Sequence, residues 1–289
     1  MQKVCLGLAL LTAGLTEVCA QVSVEITLPQ DQFLPSETLL AAVRIINHSG
    51  QKLHLGGERD WLAFGIEARG GSVVPKLGDP SVVGEFDLDS STVATKRVDL
   101  TPYFNFAEPG SYLVTATVKI RGWDREFVSR AKPFDIIRGA KLWEQEFGLP
   151  TSSEVANATP EVRKFILQQA SYLKGQLRLY MRLTDASGAR TFRVVPIGQV
   201  VSFSRPEGQV DKWSNLHVLY ANGAHSFSYT QFNPEGELLV RETYDYATTR
   251  PRLQINEEGK ISVTGGARRV TPKDVPLTKP AEGEKKLNE

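Results

Sequence analysis

Runs in which apolar and polar residues alternate one for one recur along almost the whole chain, and a period of two fits a strand with one buried face. The clearest run is Tyr112, Val114, Ala116, Val118 and Ile120, with Thr115, Thr117 and Lys119 between them. Val22, Val24, Ile26 and Leu28 alternate with Ser23, Glu25 and Thr27, and Pro29 ends that run. Leu39, Ala41, Val43 and Ile45 repeat the pattern before the turn residues Asn47-His48-Ser49-Gly50. Leu62, Phe64 and Ile66, a weaker set at Gly84, Phe86 and Leu88, and then Phe127, Phe134 and Ile136 complete the series. Short strands separated by turn signals over residues 21–138 predict a β-sandwich.

The second half changes character. Residues 139–159 read as a connector containing Trp143 and Phe147. Thr159-Pro160-Glu161 is a good helix start, and Val162, Phe165, Ile166, Gln169, Ala170 and Leu173 follow at helical spacing until Gly175. Strands resume at Leu177, Leu179, Met181 and Leu183, which alternate with Arg178, Tyr180 and Arg182. Asp185-Ala186-Ser187-Gly188, Asn222-Gly223, Asn233-Pro234-Glu235-Gly236 and Asn256-Glu257-Glu258-Gly259 punctuate an antiparallel meander over 160–266. From Ala267 to Glu289 there are no aromatics, three prolines and a mixture of charges, which predicts a disordered tail.

Phe33-Leu34-Pro35-Ser36-Glu37, followed by a strand and Asn47-His48-Ser49-Gly50, resembles the opening of bacterial secreted immunoglobulin-like or fibronectin-III-like domains. Glu108-Pro109-Gly110-Ser111-Tyr112 resembles their late turn, where the tyrosine forms a corner. Val114 stands where antibody domains carry the second cysteine. The resemblance covers about 100 residues and implies architecture, not an active site. The expected fold is therefore mostly β: an N-terminal immunoglobulin-like sandwich followed by an antiparallel meander domain with one helix, an α+β unit.

Met1-Gln2-Lys3, the apolar stretch from Val4 to Leu15 and Val18-Cys19-Ala20 have the three-part pattern of a cleavable secretory signal, with Gln21 as the first mature residue. Cleavage there removes Cys5 and Cys19, so the mature chain is expected to be secreted or periplasmic and to contain no thiol. That excludes disulfides, zinc–thiolate centres and a catalytic cysteine. Beyond the leader no run approaches the length of a membrane span. A net charge of +1 argues against a nucleic-acid binder.

The catalytic inventory is thin. No P-loop, dinucleotide fingerprint or nucleophile elbow occurs, and nothing calls for a cofactor or a metal. His48 lies in a turn and His54 on a short outward-facing strand; Glu85, Asp87 and Asp89 share one strand face and read as solvated. Asp211 lies six residues before His217, an arrangement suited to a hydrolase with Ser226 or Ser228 as the third member; paired carboxylates for glycoside hydrolysis can be drawn from Glu144, Glu146 or Glu235, with nothing to fix their separation. A two-residue turn at Asn222-Gly223 would set Tyr220 opposite His225 and His217 opposite Ser228.

For binding, the sequence offers loop tryptophans and arginines. Trp61, Trp123 and Trp213 sit beside polar loop residues, where an indole either anchors a ligand or plugs a sandwich end. If Asp185-Ala186-Ser187-Gly188 is a four-residue loop, Arg182 pairs with Thr191 and Tyr180 with Arg193. Arg178, Tyr180, Arg182 and Arg193 then share one exposed face suited to acidic groups. The expected function is a non-catalytic binding or scaffolding protein. Its partner would be an envelope or extracellular protein or an acidic glycan, contacted through Arg178, Tyr180, Arg182, Arg193 and Trp213. The alternative is a hydrolase acting on envelope or extracellular polymers through carboxylates or Asp211/His217.

Overall fold

The computed structural model describes residues 22–149, 161–172 and 175–276. The expected leader at 1–20 and the last part of the expected tail lie outside the described residues.

The first domain contains β1 (Val22–Thr27), β2 (Gln32–Phe33), β3 (Leu40–Asn47), β4 (Leu53–Leu55), β5 (Leu62–Ala68), β6 (Phe86–Leu88), β7 (Val93–Asp99), β8 (Gly110–Ile120), β9 (Arg125–Val128) and β10 (Lys132–Ile136). One sheet has the order β1-β3-β7 and the other β2-β10-β8-β5, with β9 also on β8 and a small β4-β6 ribbon beside them. Only the β2–β10 pairing is parallel in this domain. The alternating residues of β1, β3, β5 and β8 supply the core, joined by Phe33, Phe106 and Phe134. Tyr112 stacks on Phe134 at 5.5 Å, and its hydroxyl donates to the carbonyl of Glu108 at 2.8 Å, the corner expected from the sequence. Trp61 is buried and donates through Nε1 to the carbonyl of Val82, so it plugs the sandwich and presents no binding surface. β7 has no sequence signal because Val98 is its only buried side chain.

The second domain contains β11 (Ala140–Gly148), β12 (Val162–Tyr172), β13 (Gln176–Asp185), β14 (Thr191–Val200), β15 (Glu207–Val210), β16 (Leu216–Ala221), β17 (Ser226–Phe232), β18 (Leu238–Asp245), β19 (Arg252–Ile255), β20 (Ile261–Thr264) and β21 (Ala267–Arg269). A meander β11-β12-β13-β14 packs on a sheet ordered β15-β16-β17-β18-β21, and the β19-β20 hairpin covers the far face of that sheet. Phe165, Leu167, Leu179, Met181, Leu183, Leu216, Val218, Tyr220 and Phe232 fill the space between the sheets. On the outer face Leu219, Phe227, Tyr229 and Val240 meet Leu253 and Ile261 of the hairpin.

The structure corrects three expectations. The expected helix is β12, paired on both sides with β11 and β13. Its apolar residues satisfy both periods, and the strand period buries Phe165 and Leu167 on one face and Gln168 and Ala170 on the other. Among the described residues no α-helix occurs; Thr101–Tyr103 and Arg121–Trp123 are single 3-10 turns. No described helix is long and apolar enough to cross a membrane. The expected connector is half strand: β11 is an edge strand whose single fully buried side chain is Phe147, so it shows no alternation. The start of the expected disordered tail is ordered. β21 pairs with β18, and Val275 exchanges two backbone hydrogen bonds with Arg241 at 2.9 and 3.0 Å.

Candidate binding site

The arginine face expected on β13 does not stay in the solvent. Tyr180 is 1% exposed and packs with Ala170 and Val194 against Leu34 and Ile137 of the first domain. Arg178 donates through Nη1 to Oε1 of Gln30 at 2.7 Å. Gln30 in turn donates to Glu37, whose other carboxylate oxygen accepts from the Leu34 amide. Burial raises the Glu37 pKa, against the pull of the Leu34 amide, Gln30 and Arg178. This face is the seam between the domains. Arg182 shares it and is held by Thr191 Oγ1 at 2.7 and 3.1 Å.

Arg193 is not on that face. Arg182 pairs with Val194 and Tyr180 with Pro196, three residues beyond the expected partners, with Phe192 bulged out. An odd register shift turns a side chain to the other face of the sheet. Arg193 therefore lies opposite Leu183, beside Glu237 at 3.8 Å and the Glu235 carbonyl. Trp213 stands apart from all four, 51% exposed on the turn between β15 and β16 with the Lys212 ammonium 4.6 Å above its ring.

The Asp211–His217 pair forms, but as a closed unit. The same three-residue shift places Tyr220 opposite Ser228 and His217 opposite Gln231. Ser226 and Ser228 then lie on the face opposite His217. His217 is 3% exposed; Nε2 is 3.1 Å from Asp211 Oδ2 and Nδ1 is 2.7 Å from the Tyr229 hydroxyl. Asp211 also accepts from the backbone amides of Trp213 and Asn215 and from the Asn215 side chain. Burial holds the His217 pKa below the ordinary imidazole value, with Asp211 opposing it. Burial alone would raise Asp211, but its hydrogen bonds from Asn215 and His217 outweigh it and keep the carboxyl below the usual range. The assignment that satisfies every atom is a neutral ring donating to Asp211 and accepting from Tyr229, whose hydroxyl pKa burial pushes far up. This network ties a turn to a sheet and offers neither a nucleophile nor a route from solvent. Elsewhere Glu207 is engaged by Arg252 and the Leu253 amide, and His54 and Lys52 bond Asp87. Among the described residues no cluster of three or more His, Cys, Asp or Glu side chains is arranged to hold a metal.

Polar groups without internal partners gather at a different place. At one end of the second domain β14 and the β16–β18 sheet separate, and the segment after β21 closes the side of an open cleft of about 760 Å³. Its floor follows from the register: Tyr220, Ser228, Thr243 and Arg269 form one cross-strand row, and Thr230 and Arg241 belong to the next. Rows on one face are about 7 Å apart and strands about 4.8 Å, which puts the two arginine Cα atoms roughly 8 Å apart. A bulge in β14 leaves Ile197 unpaired, and its carbonyl accepts from Arg241 Nη2 at 3.4 Å. A Cβ at Gly198 would meet the hydroxyl of the buried Tyr220, so a larger residue there would have to displace that ring.

The lining contains Arg241, Arg269 and Lys273 and no carboxylate. Arg269 is offset by Asp245 at 2.8 Å and donates to Ser226 Oγ. Arg241 and Lys273 form no ion pair among the described residues. Three buried side-chain atoms have no hydrogen-bond partner there: Arg241 Nε, Asn222 Oδ1 and Thr230 Oγ1. Arg241 and Asn222 line the cleft, and Thr230, wholly buried, is the cross-strand partner of Arg241. An unpaired buried polar atom costs about 1–3 kcal/mol, more when charged, so a cluster of them points to something outside the fold. The sequence contains a partial signal: Arg268-Arg269 follows Gly265-Gly266. Nothing in it hints that β21 brings these together.

No known family model matches the chain, and no curated protein matches it in sequence. Among solved structures, one that is similar is Spo0M, a sporulation control protein from Bacillus subtilis. It is 7% identical over 75% of this chain and 79% of its own, with a TM-score of 0.31. A likeness of that size carries no inference about fold or function.

Proposed function

We propose that the protein is an exported, non-catalytic binding protein that holds an acidic ligand of the envelope or extracellular space in the cleft beside Arg241. The first domain, an immunoglobulin-like sandwich in this reading, is the mount, and the second domain is the receptor. The observation that carries the reading is the buried Nε of Arg241, unpartnered in a cleft whose lining has cations and hydroxyls but no carboxylate. A guanidinium N–H in such surroundings is a strong donor to an oxyanion. The leader pattern at 1–20 supports export, and the closed Asp211–His217–Tyr229 unit supports a role without catalysis.

The test is retention of the mature protein, starting at Gln21, on immobilised polygalacturonate, polyglutamate, polyphosphate and neutral dextran at low and high salt. Binding to at least one polyanion and not to dextran is expected. It should weaken with salt and be lost in Arg241→Met/Lys273→Ala at an undiminished melting temperature. Equal retention of wild type and double variant, or no retention on any polyanion, removes the reading.

A further inference from the structure

Resting on the reading of the cleft as an anion site, we propose that its ligand class is an acidic saccharide, a carboxylate carried on a ring of hydroxyls. The unpartnered atoms differ in kind. Arg241 Nε is a donor and calls for an anionic oxygen. Asn222 Oδ1 is an acceptor at the rim of the same cleft and calls for an O–H or N–H on the ligand. A polyphosphate or a bare carboxylate answers the first demand and leaves the second open. A sugar acid answers both, because each ring hydroxyl donates as well as accepts.

The walls agree with this. Ser226, Ser228, Thr243 and Thr271 place hydroxyls along the cleft. An acidic peptide also carries carboxylates and N–H donors, but it lacks ring hydroxyls to match these walls, and the lining offers only Ile197 and Pro272 as aliphatic surface for its side chains. Asn222 Nδ2 donates to Ser228 Oγ at 2.7 Å, which leaves the amide oxygen as the end without a partner. Lys273 comes from a segment fixed by Arg268–Asp274 at 2.8 Å and by the Val275–Arg241 bridge, so a second cation faces the ligand from outside the sheet.

The experiment compares, by titration calorimetry on the mature chain, an oligogalacturonate with an oligoglutamate and a polyphosphate of matched charge. Oligogalacturonate is expected to bind about tenfold more tightly than either, the value of one well-made hydrogen bond to a charged or polar group. Asn222→Ala should remove that preference and leave weak oligoglutamate binding unchanged. Lys273→Ala, on an exposed segment, should weaken all three. Equal affinity for oligoglutamate or polyphosphate, or an Asn222→Ala protein that keeps the preference, overturns the saccharide proposal while the anion reading stands. Absence of binding to all three overturns the anion reading itself.

Discussion

In the first sandwich, the buried polar side chains are used up by the fold. Asn47 donates to the carbonyls of Gln51 and Leu88 and accepts from Ser49, closing the turn between β3 and β4. Ser129 accepts from the Ala116 amide and donates to Arg130, bridging the break between β9 and β10. The second domain has one polar unit of this kind, Asp211–His217–Tyr229, and one region of the opposite kind, where Asn222, Thr230 and Arg241 have buried atoms with no internal partner. Both domains are two-sheet structures with full apolar cores. What separates them is buried polar atoms without internal partners, and that is why the proposed site lies in the second domain.

The largest effect should come from cutting the satisfied unit. Asp211→Ala abandons the donors of His217, Asn215 and Trp213 together, at a cost of about 3–5 kcal/mol in chemical denaturation. Asn47→Ala in the first domain abandons fewer and should cost about 1–3 kcal/mol. Equal costs would mean that the Asp211 unit adds nothing beyond an ordinary turn closure.

The seam between the domains is the next target. Leu34 fills the space between Ile137 and the Ala170–Tyr180–Val194 face, so Leu34→Ala should cost about 2–4 kcal/mol. It should also resolve calorimetric unfolding into two transitions, one per domain. A single transition at an unchanged temperature would show that Leu34 does not supply the coupling between them.

Much of the strand content was legible, and the reason is local. β1, β3, β5, β8 and β13 each bury one face, so their periods are written in the residues. β7 and β11 are edge strands with one fully buried side chain each, and their signal fails with it. β12 satisfies two periods at once, and neighbours on both sides decide between them. The arginine site failed for a different reason. Each hairpin register was displaced by three residues, at one through a longer loop at 222–226 and at the other through two residues at the 185–190 turn plus the bulge at Phe192, and an odd displacement reverses every facing assignment. That one error moved Arg193 off its face and separated His217 from Ser228. The cleft needed β21, whose residues are all exposed and carry no period.

Acid should expose the same contrast. The His217 pKa is depressed by burial, so the unfolded chain binds its proton more readily than the fold does. Its contribution is complete above the unfolded value near 6.5 and is lost as pH falls through that value towards the folded one. Asp211, also depressed, adds a second loss below its ordinary value of 3.8. Stability should therefore begin to fall just below pH 6.5, and His217→Gln should flatten that first segment while leaving the one below pH 4. A wild-type curve flat between pH 7 and 5 would show that the ring takes up its proton equally in the folded and unfolded chain, and one that rises as pH falls would show the ring to be charged in the fold.

The smallest effect is the most discriminating, because one substitution should have opposite signs in the two domains. Thr101 Oγ1 accepts from the Leu39 amide at 2.8 Å and donates to the Glu37 carbonyl at 3.2 Å. Thr101→Val orphans a buried amide and should cost about 1–2 kcal/mol. Thr230 is 0% exposed and its hydroxyl has no partner. Valine has nearly the same shape, so Thr230→Val removes an unmet polar group without opening a cavity. It should stabilise the protein by up to about 1 kcal/mol in urea titrations. Such a gain is what a region kept polar for a ligand predicts, since stability withheld there is recovered once the polar atom is gone. If Thr230→Val costs as much as Thr101→Val, the hydroxyl is bonded within the fold. Thr230 would then be ordinary satisfied core beside the cleft, and the contrast between the domains would rest on Arg241 and Asn222 alone.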